Sequence, residues 1–444
     1  MSGQNLANGG NGLIVSVSGI RGIPTEDLSL TEVSRVSRNF ARVSGSQEVL
    51  LARDTRSTGQ VIGRAVSAAI IGRGLKLVDF GVASTPALFR ESLLRGKPAI
   101  MVTASHNEPE FNGLKFIIDG KGIVKDTLDS VVAPEQNGFE PLQQGRIRRS
   151  RTSYVDDLAR MFGENSCEGV KVALDLGGGA AIMHAVPLLG KLGCIVTAVN
   201  DTPGLFNRRI DPTLDELYLL RQIVTAKQCD IGLGFDCDGD RLVIVDDAGF
   251  KRTGDFMLTL ALSQLLPASR EKCVVVSMDT TQAVDEVAGE SGARVVRSKV
   301  GEANVVSKMI ESEARFGGEG SSGGLIDGSF NYCRDSMLAA LVIVKALKQK
   351  KRGIYRRVRS YHQTRSALQL PRPKAIRAIR TLAARNPDSD TTDGVKIWVT
   401  NKSWVLLRAS GTEDVVRVSA EAETASKAAQ IVQSYSNKLK ELSR

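Results

Sequence analysis

Histidine is scarce in this 444-residue sequence. His106, His184 and His362 lie far apart, which excludes a histidine-built metal site. The six cysteines (Cys167, Cys194, Cys229, Cys237, Cys273 and Cys333) make no Cys-x-x-Cys pair. A zinc ribbon and a disulfide framework are thereby excluded, and the expected setting is a reducing cytoplasm. No apolar run approaches the ~18 residues of a membrane-spanning helix, so an integral membrane protein is not expected. The first eleven residues lack a basic start followed by an apolar block, and read as a frayed polar tail instead of a secretion signal. Acid is missing from one long stretch: Lys345 to Arg385 holds 14 Lys/Arg and no Asp or Glu. The chain carries +10 overall, so the remaining residues sum to −4 and the basicity is local. With 42% apolar and 24% charged residues the composition is that of a soluble globular protein, and the length calls for three or four domains.

One pattern occurs three times. An apolar run ends at or near an aspartate (Asp54, Asp175, Asp279), small residues follow, then a helical run, a glycine (Gly74, Gly193, Gly292) and a second apolar strand. Apolar strands alternating with helices indicate βαβ units around a parallel or mixed sheet. The last stretch differs: two strand-like runs around a polar break at Asn401 to Ser403, a third strand, and an amphipathic helix from Thr424 to Leu442. The fold class read from this is α/β: three related α/β domains with mixed sheets plus a C-terminal α+β domain. The expected domains are residues 1–150, 151–253, 254–368 and 369–444, with Gly145 to Arg149 as a polar linker after the first.

Four short segments carry chemistry. Asp236-Cys237-Asp238-Gly239-Asp240-Arg241 lies between two strand-like runs, and carboxylates at alternate positions of a tight turn converge on one hard cation. The EF-hand alternative fails, because the sixth position is Arg241 and the flanks are strands; an exposed acidic turn is the plain alternative. Ser105 follows the apolar PAIMVT run, so it is expected at the carboxyl edge of a sheet. It lacks the G-x-S-x-G context of a hydrolase elbow. A phosphoserine facing a divalent cation fits better, with a helix N-cap as the plain alternative. Arg408-Ala409-Ser410-Gly411-Thr412, with Arg417 beyond, offers guanidinium, hydroxyl and backbone N–H donors to a phosphate, or is a hairpin turn. Gly317 to Gly324 holds five glycines in eight residues, and by itself reads as a flexible linker.

In this order, and across nearly the whole chain, these segments resemble the α-D-phosphohexomutase family. Ser18-Gly19-Ile20-Arg21-Gly22 is similar to its N-terminal arginine motif, and Thr103 to Asn107 with Asn112-Gly113-Leu114-Lys115 to its phosphoserine loop. The segments at 236–241, 317–321 and 408–412 resemble its magnesium, sugar and phosphate loops. The Ser-Gly-Ile-Arg-Gly start and the GGEG loop are nearest to archaeal phosphoglucosamine-mutase-like members.

The resemblance implies four domains around a central cleft and exchange of hexose 6-phosphate with hexose 1-phosphate through a hexose bisphosphate. It implies Mg²⁺ on Ser105, Asp236, Asp238 and Asp240. Ser105, Lys115, Arg21, His106 and Arg241 form the expected catalytic set, Lys115 as a proton-transfer residue tuned by neighbouring cations. Glu319, Ser321 and Ser322 are expected on the sugar, and Arg408, Ser410, Gly411, Thr412 and Arg417 on the non-reacting phosphate. Phosphoglucosamine mutase is the preferred activity and phosphomannomutase/phosphoglucomutase the alternative.

Departures from the family pattern matter. Glu108 and Asp414 stand where proline is usual, each placing a carboxylate near a phosphate site, and Cys237 replaces a glycine. These acids raise a non-catalytic regulatory homologue as an alternative, and the 345–385 stretch raises RNA binding. With only Tyr355 and Tyr361 to stack bases, that stretch reads instead as a solvated helix face. A monomer or homodimer is expected.

Overall fold

The computed structural model describes residues 13–134, 142–410 and 414–443; the N-terminal tail, Gly411 and Thr412 lie outside them. The chain forms two compact units, Met1–Asn165 with Ala173–Leu217 and Gly234–Asp240, and Ser166–Val172 with Tyr218–Leu233 and Arg241–Arg444. Among the described residues no helix is long and apolar enough to cross a membrane.

The threefold pattern becomes structure. Strand Glu48–Arg53 leads to helix Gly59–Ile71 and parallel strand Lys76–Val82; strand Cys273–Ser277 leads to helix Ala283–Glu290 and parallel strand Arg294–Ser298. The middle copy breaks its helix into a 3-10 turn, Ala180–Met183, and a short helix, Ala185–Lys191. Each spacer glycine has φ between 67° and 82°, a left-handed turn that side chains resist. Val274, Val275 and Val276 are all fully buried, as in strands covered on both faces.

The first sheet runs, in space, Ile14–Ser16, Gly19–Gly22, Asn112–Ile118, Ala99–Val102, Glu48–Arg53, Lys76–Val82, Arg146–Arg149. Its last member corrects the linker reading of Gly145 to Arg149: Arg146–Arg149 is an edge strand parallel to Lys76–Val82. Its exposed arginines are charges of the kind that keep edge strands from pairing further.

The Gly317–Gly324 linker reading is also overturned. Phe316–Glu319 and Gly324–Asp327 are buried antiparallel strands joined by a 3-10 turn. A Cβ on Gly320 would lie 1.9 Å from Asp255 Oδ1, and one on Gly323 2.3 Å from the Leu242 carbonyl oxygen. These glycines permit close packing, not flexibility.

The fourth sheet is antiparallel, in the order His362–Gln369, Val415–Ala422, Ser403–Ala409, Val395–Thr400. One face packs on helices Arg372–Ala384 and Ala425–Leu442 through Val405, Leu407, Val416 and Val418. The opposite face is anchored on the preceding domain. There Trp404 and Leu406 pack with Met278, Lys396 donates to the Met278 carbonyl, and Glu421 accepts from Gln282 N and Trp404 Nε1. The 345–385 stretch is not one solvated helix face. It spans the end of helix Ser336–Lys350, a 3-10 segment, strand His362–Gln369 and helix Arg372–Ala384.

Candidate active site

Ser105 lies just past strand Ala99–Val102, fully buried, with φ 54°. A non-glycine residue holds that conformation only where its surroundings over-determine it. They do so here: Ser105 N donates to Thr103 Oγ1 at 2.7 Å, and Thr103 Oγ1 donates to Asp54 Oδ2 at 2.6 Å. The buried Arg56 guanidinium donates to the carbonyls of Ser105, Asn107, Glu108 and Phe111, at 2.6–2.9 Å. It also pairs with Asp54 at 3.2 Å. Sequence reading placed Asp54 only as a strand end and missed Arg56. Their signal was the polar Asp-Thr-Arg turn after an apolar strand, beside the strand that carries Ser105.

Asp236, Asp238 and Asp240 are fully buried, with ligand oxygens within 4.8 Å of one another. Gly239, at φ 71°, makes the turn that brings them together, and Asp240 N donates back to Asp236 Oδ1. The turn is therefore neither exposed nor a solvated acidic loop. Ser105 Oγ lies 3.5 Å from Asp236 Oδ2 and 3.4 Å from His106 Nδ1. Lys115 Nζ pairs with Asp238 at 2.7 Å and Asp240 at 2.9 Å. These carboxylate partners hold the ammonium in place. Three carboxylates are buried together here, and Asp238 Oδ1 has no hydrogen-bond partner among the described residues. Hard oxygen donors in that state fit a divalent oxygen-seeking cation such as Mg²⁺.

Arg21, on strand Gly19–Gly22, donates to Asn107 Oδ1 at 2.8 Å. Arg241, half-buried, follows Asp240 in the chain. Glu108 is exposed and gives the loop only its carbonyl, through Arg56. Cys237 is buried with Sγ 3.4 Å from Asp54 Oδ2, and burial beside Asp54 pushes its thiol well above the ordinary range. It remains a protonated donor, not a ligand.

In the second unit Glu319 ends its strand buried. It accepts from Gly301 N at 2.7 Å and from Arg334 Nη1 at 3.2 Å, and burial raises its pKa against the pull of Arg334. Arg334 also donates to Ser322 Oγ at 3.0 Å and pairs with Glu302. Ser322 is thus committed to the loop's framework, whereas Ser321 is partly exposed. Arg334 and Glu302, which flank the glycine loop on either side and are 32 residues apart, had no local signal.

Arg408 and Arg417 sit directly opposite each other on paired strands, like charges that repel unless an anion is near. Arg408 is partly offset by Asp393, at 3.2 Å. Ser410 is buried and its N–H donates to the Val415 carbonyl. Asp414 does not point to weakened phosphate binding: its carboxylate accepts from Arg372 N at 3.0 Å, at the start of helix Arg372–Ala384. An acid there is favourable.

Similarity to known proteins covers the same span. Residues 12–136, 152–249 and 253–364 match the phosphoglucomutase/phosphomannomutase alpha/beta/alpha domains I, II and III, and residues 367–438 match the C-terminal domain. The chain is 31% identical to "Probable phosphoglucosamine mutase" of Methanopyrus kandleri, covering 95% of this chain and 96% of that one. It is 29% identical to "Phosphoglucomutase/phosphomannomutase" of Thermococcus kodakarensis, covering 94% and 96%. A crystal structure of a phosphoglucomutase/phosphomannomutase family protein from Burkholderia thailandensis superposes with TM-score 0.81 at 23% identity, over 97% of this chain and 98% of that one. With all four domains present in order, the chain belongs to the phosphoglucomutase/phosphomannomutase family, the α-D-phosphohexomutases.

Proposed function

We propose that this phosphohexomutase interconverts glucosamine 6-phosphate and glucosamine 1-phosphate through phosphorylated Ser105. The observation that carries the reading is the Ser105 hydroxyl, 3.5 Å from Asp236 in a buried three-carboxylate cluster. In the first half-reaction the phosphoryl group leaves Ser105 Oγ for the free sugar hydroxyl oxygen, whose proton passes to a base. The resulting bisphosphate, with its ends exchanged, returns its other phosphoryl group to Ser105 Oγ, and the departing sugar oxygen takes up a proton. Lys115, fixed against Asp238 and Asp240, and His106, 3.4 Å from Oγ, are the residues assigned to the proton. Arg21 and Arg241 add positive charge. Ser105, Asp236, Asp238 and Asp240 would hold Mg²⁺, which when bound neutralises charge on a transferring phosphoryl group. Glu319 and Ser321 would take ring hydroxyls, and Arg408, Ser410, Gly411, Thr412 and Arg417 the non-reacting phosphate, with Ser322 acting through Arg334.

The name of the Methanopyrus relative supports glucosamine. That of the Thermococcus relative favours the second reading, phosphomannomutase/phosphoglucomutase. Coupled assays with glucosamine, glucose and mannose 1-phosphates, started with a hexose bisphosphate, decide between them. The highest kcat/KM on glucosamine 1-phosphate supports the first; a tenfold preference for either other sugar replaces it.

A further inference from the structure

The first sheet has a second open place at the carboxyl ends of its strands. Strand Glu48–Arg53 has the Ser105-bearing strand on one side and the parallel strands Lys76–Val82 and Arg146–Arg149 on the other. On that far side, against helix Gly59–Ile71, lies a cavity of about 640 Å³ lined by Arg53, Gly63, Arg64, Ser67, Asp79 and Arg149, among others. Strand ends are where α/β sheets take ligands, and the volume suits a small metabolite.

Charge and space agree. Three arginines and one aspartate line the cavity, and the Asp79 carboxylate already accepts from Gly81 N at 2.8 Å. Among the described residues the Arg64 and Arg149 guanidiniums make no hydrogen bond or ion pair, and Arg53 gives one N–H to the Asp54 carbonyl at 3.2 Å. Gly63 sits mid-helix, where glycine costs about 1 kcal/mol relative to alanine. A Cβ there would meet nothing within 4 Å, and neither would one at Gly81. Helix packing does not require glycine at 63, and the open space beside it belongs to the cavity.

We propose that this cavity binds a small metabolite carrying two anionic groups, phosphate or carboxylate, at a site separate from Ser105. Arginines drawn from a strand end, a helix and an edge strand line the one cavity, and guanidiniums can grip such a ligand through paired N–H donors. One of them, Arg53, precedes Asp54, which holds Thr103 and Arg56 in the serine loop. The proposal does not depend on which hexose the enzyme uses.

The test is calorimetric titration of the full chain with inorganic pyrophosphate, and separately with citrate, in a saturating mixture of glucosamine, glucose and mannose 1-phosphates to occupy the phosphosugar site. Binding is expected to persist there, and the tighter of the two probes identifies the anionic group. Two variants should weaken it at least tenfold while leaving turnover without pyrophosphate or citrate unchanged: the double variant Arg64→Gln with Arg149→Gln, and Gly63→Leu, which fills the cavity while improving the helix. Equal binding in wild type and both variants overturns the proposal, as does loss of all wild-type binding when the hexose 1-phosphates are present.

Discussion

One guanidinium, that of Arg56, fixes four carbonyls of the serine loop, so Ser105, the proposed nucleophile, is positioned by a buried side chain from outside its own loop. Ser105→Ala is therefore expected to fold normally, since these bonds use the backbone of 105, yet to lose mutase turnover and the covalent phosphate. Near-normal turnover would remove Ser105 from the reaction. A second residue-level prediction concerns Asp255, whose Oδ1 accepts from Thr281 N at 2.8 Å. Burial pushes its carboxyl from the ordinary 3.8 up to about 7, partly countered by Arg365 and reinforced by Glu421. Between those values the folded chain binds more protons there than the unfolded chain. The stability contributed by this group is thus greatest below pH ~4 and falls as pH rises to ~7. Asp255→Asn keeps an acceptor for Thr281. Melting curves from pH 4 to 8 should show a smaller decline for the variant; parallel curves would refute the assignment.

Among elements, the strand–aspartate–helix–glycine–strand order was readable because burial on both faces leaves uninterrupted apolar runs and because the spacer glycines need φ > 0. The acidic 236–241 loop and Ser105 were readable for a related reason, as polar residues placed directly after such strands. Two elements were not. The Gly317–Gly324 segment looks like a linker by composition, since close packing of backbone on backbone leaves no side-chain signature. The Arg146–Arg149 strand looks like a linker because an exposed edge strand can be mostly charged. The Glu319–Arg334–Glu302 group was illegible because its members meet only through tertiary packing. If the glycine loop is a packed turn, Gly320→Ala must displace Asp255 Oδ1, now 1.9 Å from the added Cβ. A loss of about 1–3 kcal/mol in chemical denaturation is expected; a neutral effect would restore the flexible reading.

Over the whole molecule, charge is partitioned: the 345–385 stretch carries +14 while the rest sums to −4. Distributed over two helices, a strand and a 3-10 segment, it supplies a field and not a single track. Such a field speeds the arrival of an anionic substrate without changing its chemistry. Raising salt from about 0.05 to 0.3 M should lower kcat/KM for a hexose phosphate severalfold while kcat holds. A flat kcat/KM would leave the basic stretch without a kinetic role.

The left-handed backbone at Ser105 also limits which alcohol can occupy the position. Threonine supplies the same oxygen, but branching at its β-carbon crowds the preceding carbonyl in that conformation, at a cost of roughly 1–3 kcal/mol. Ser105→Thr should consequently behave as a loop mutation and not as an exchange of equivalent nucleophiles. The torsion angle, as much as hydroxyl reactivity, dictates a primary alcohol here.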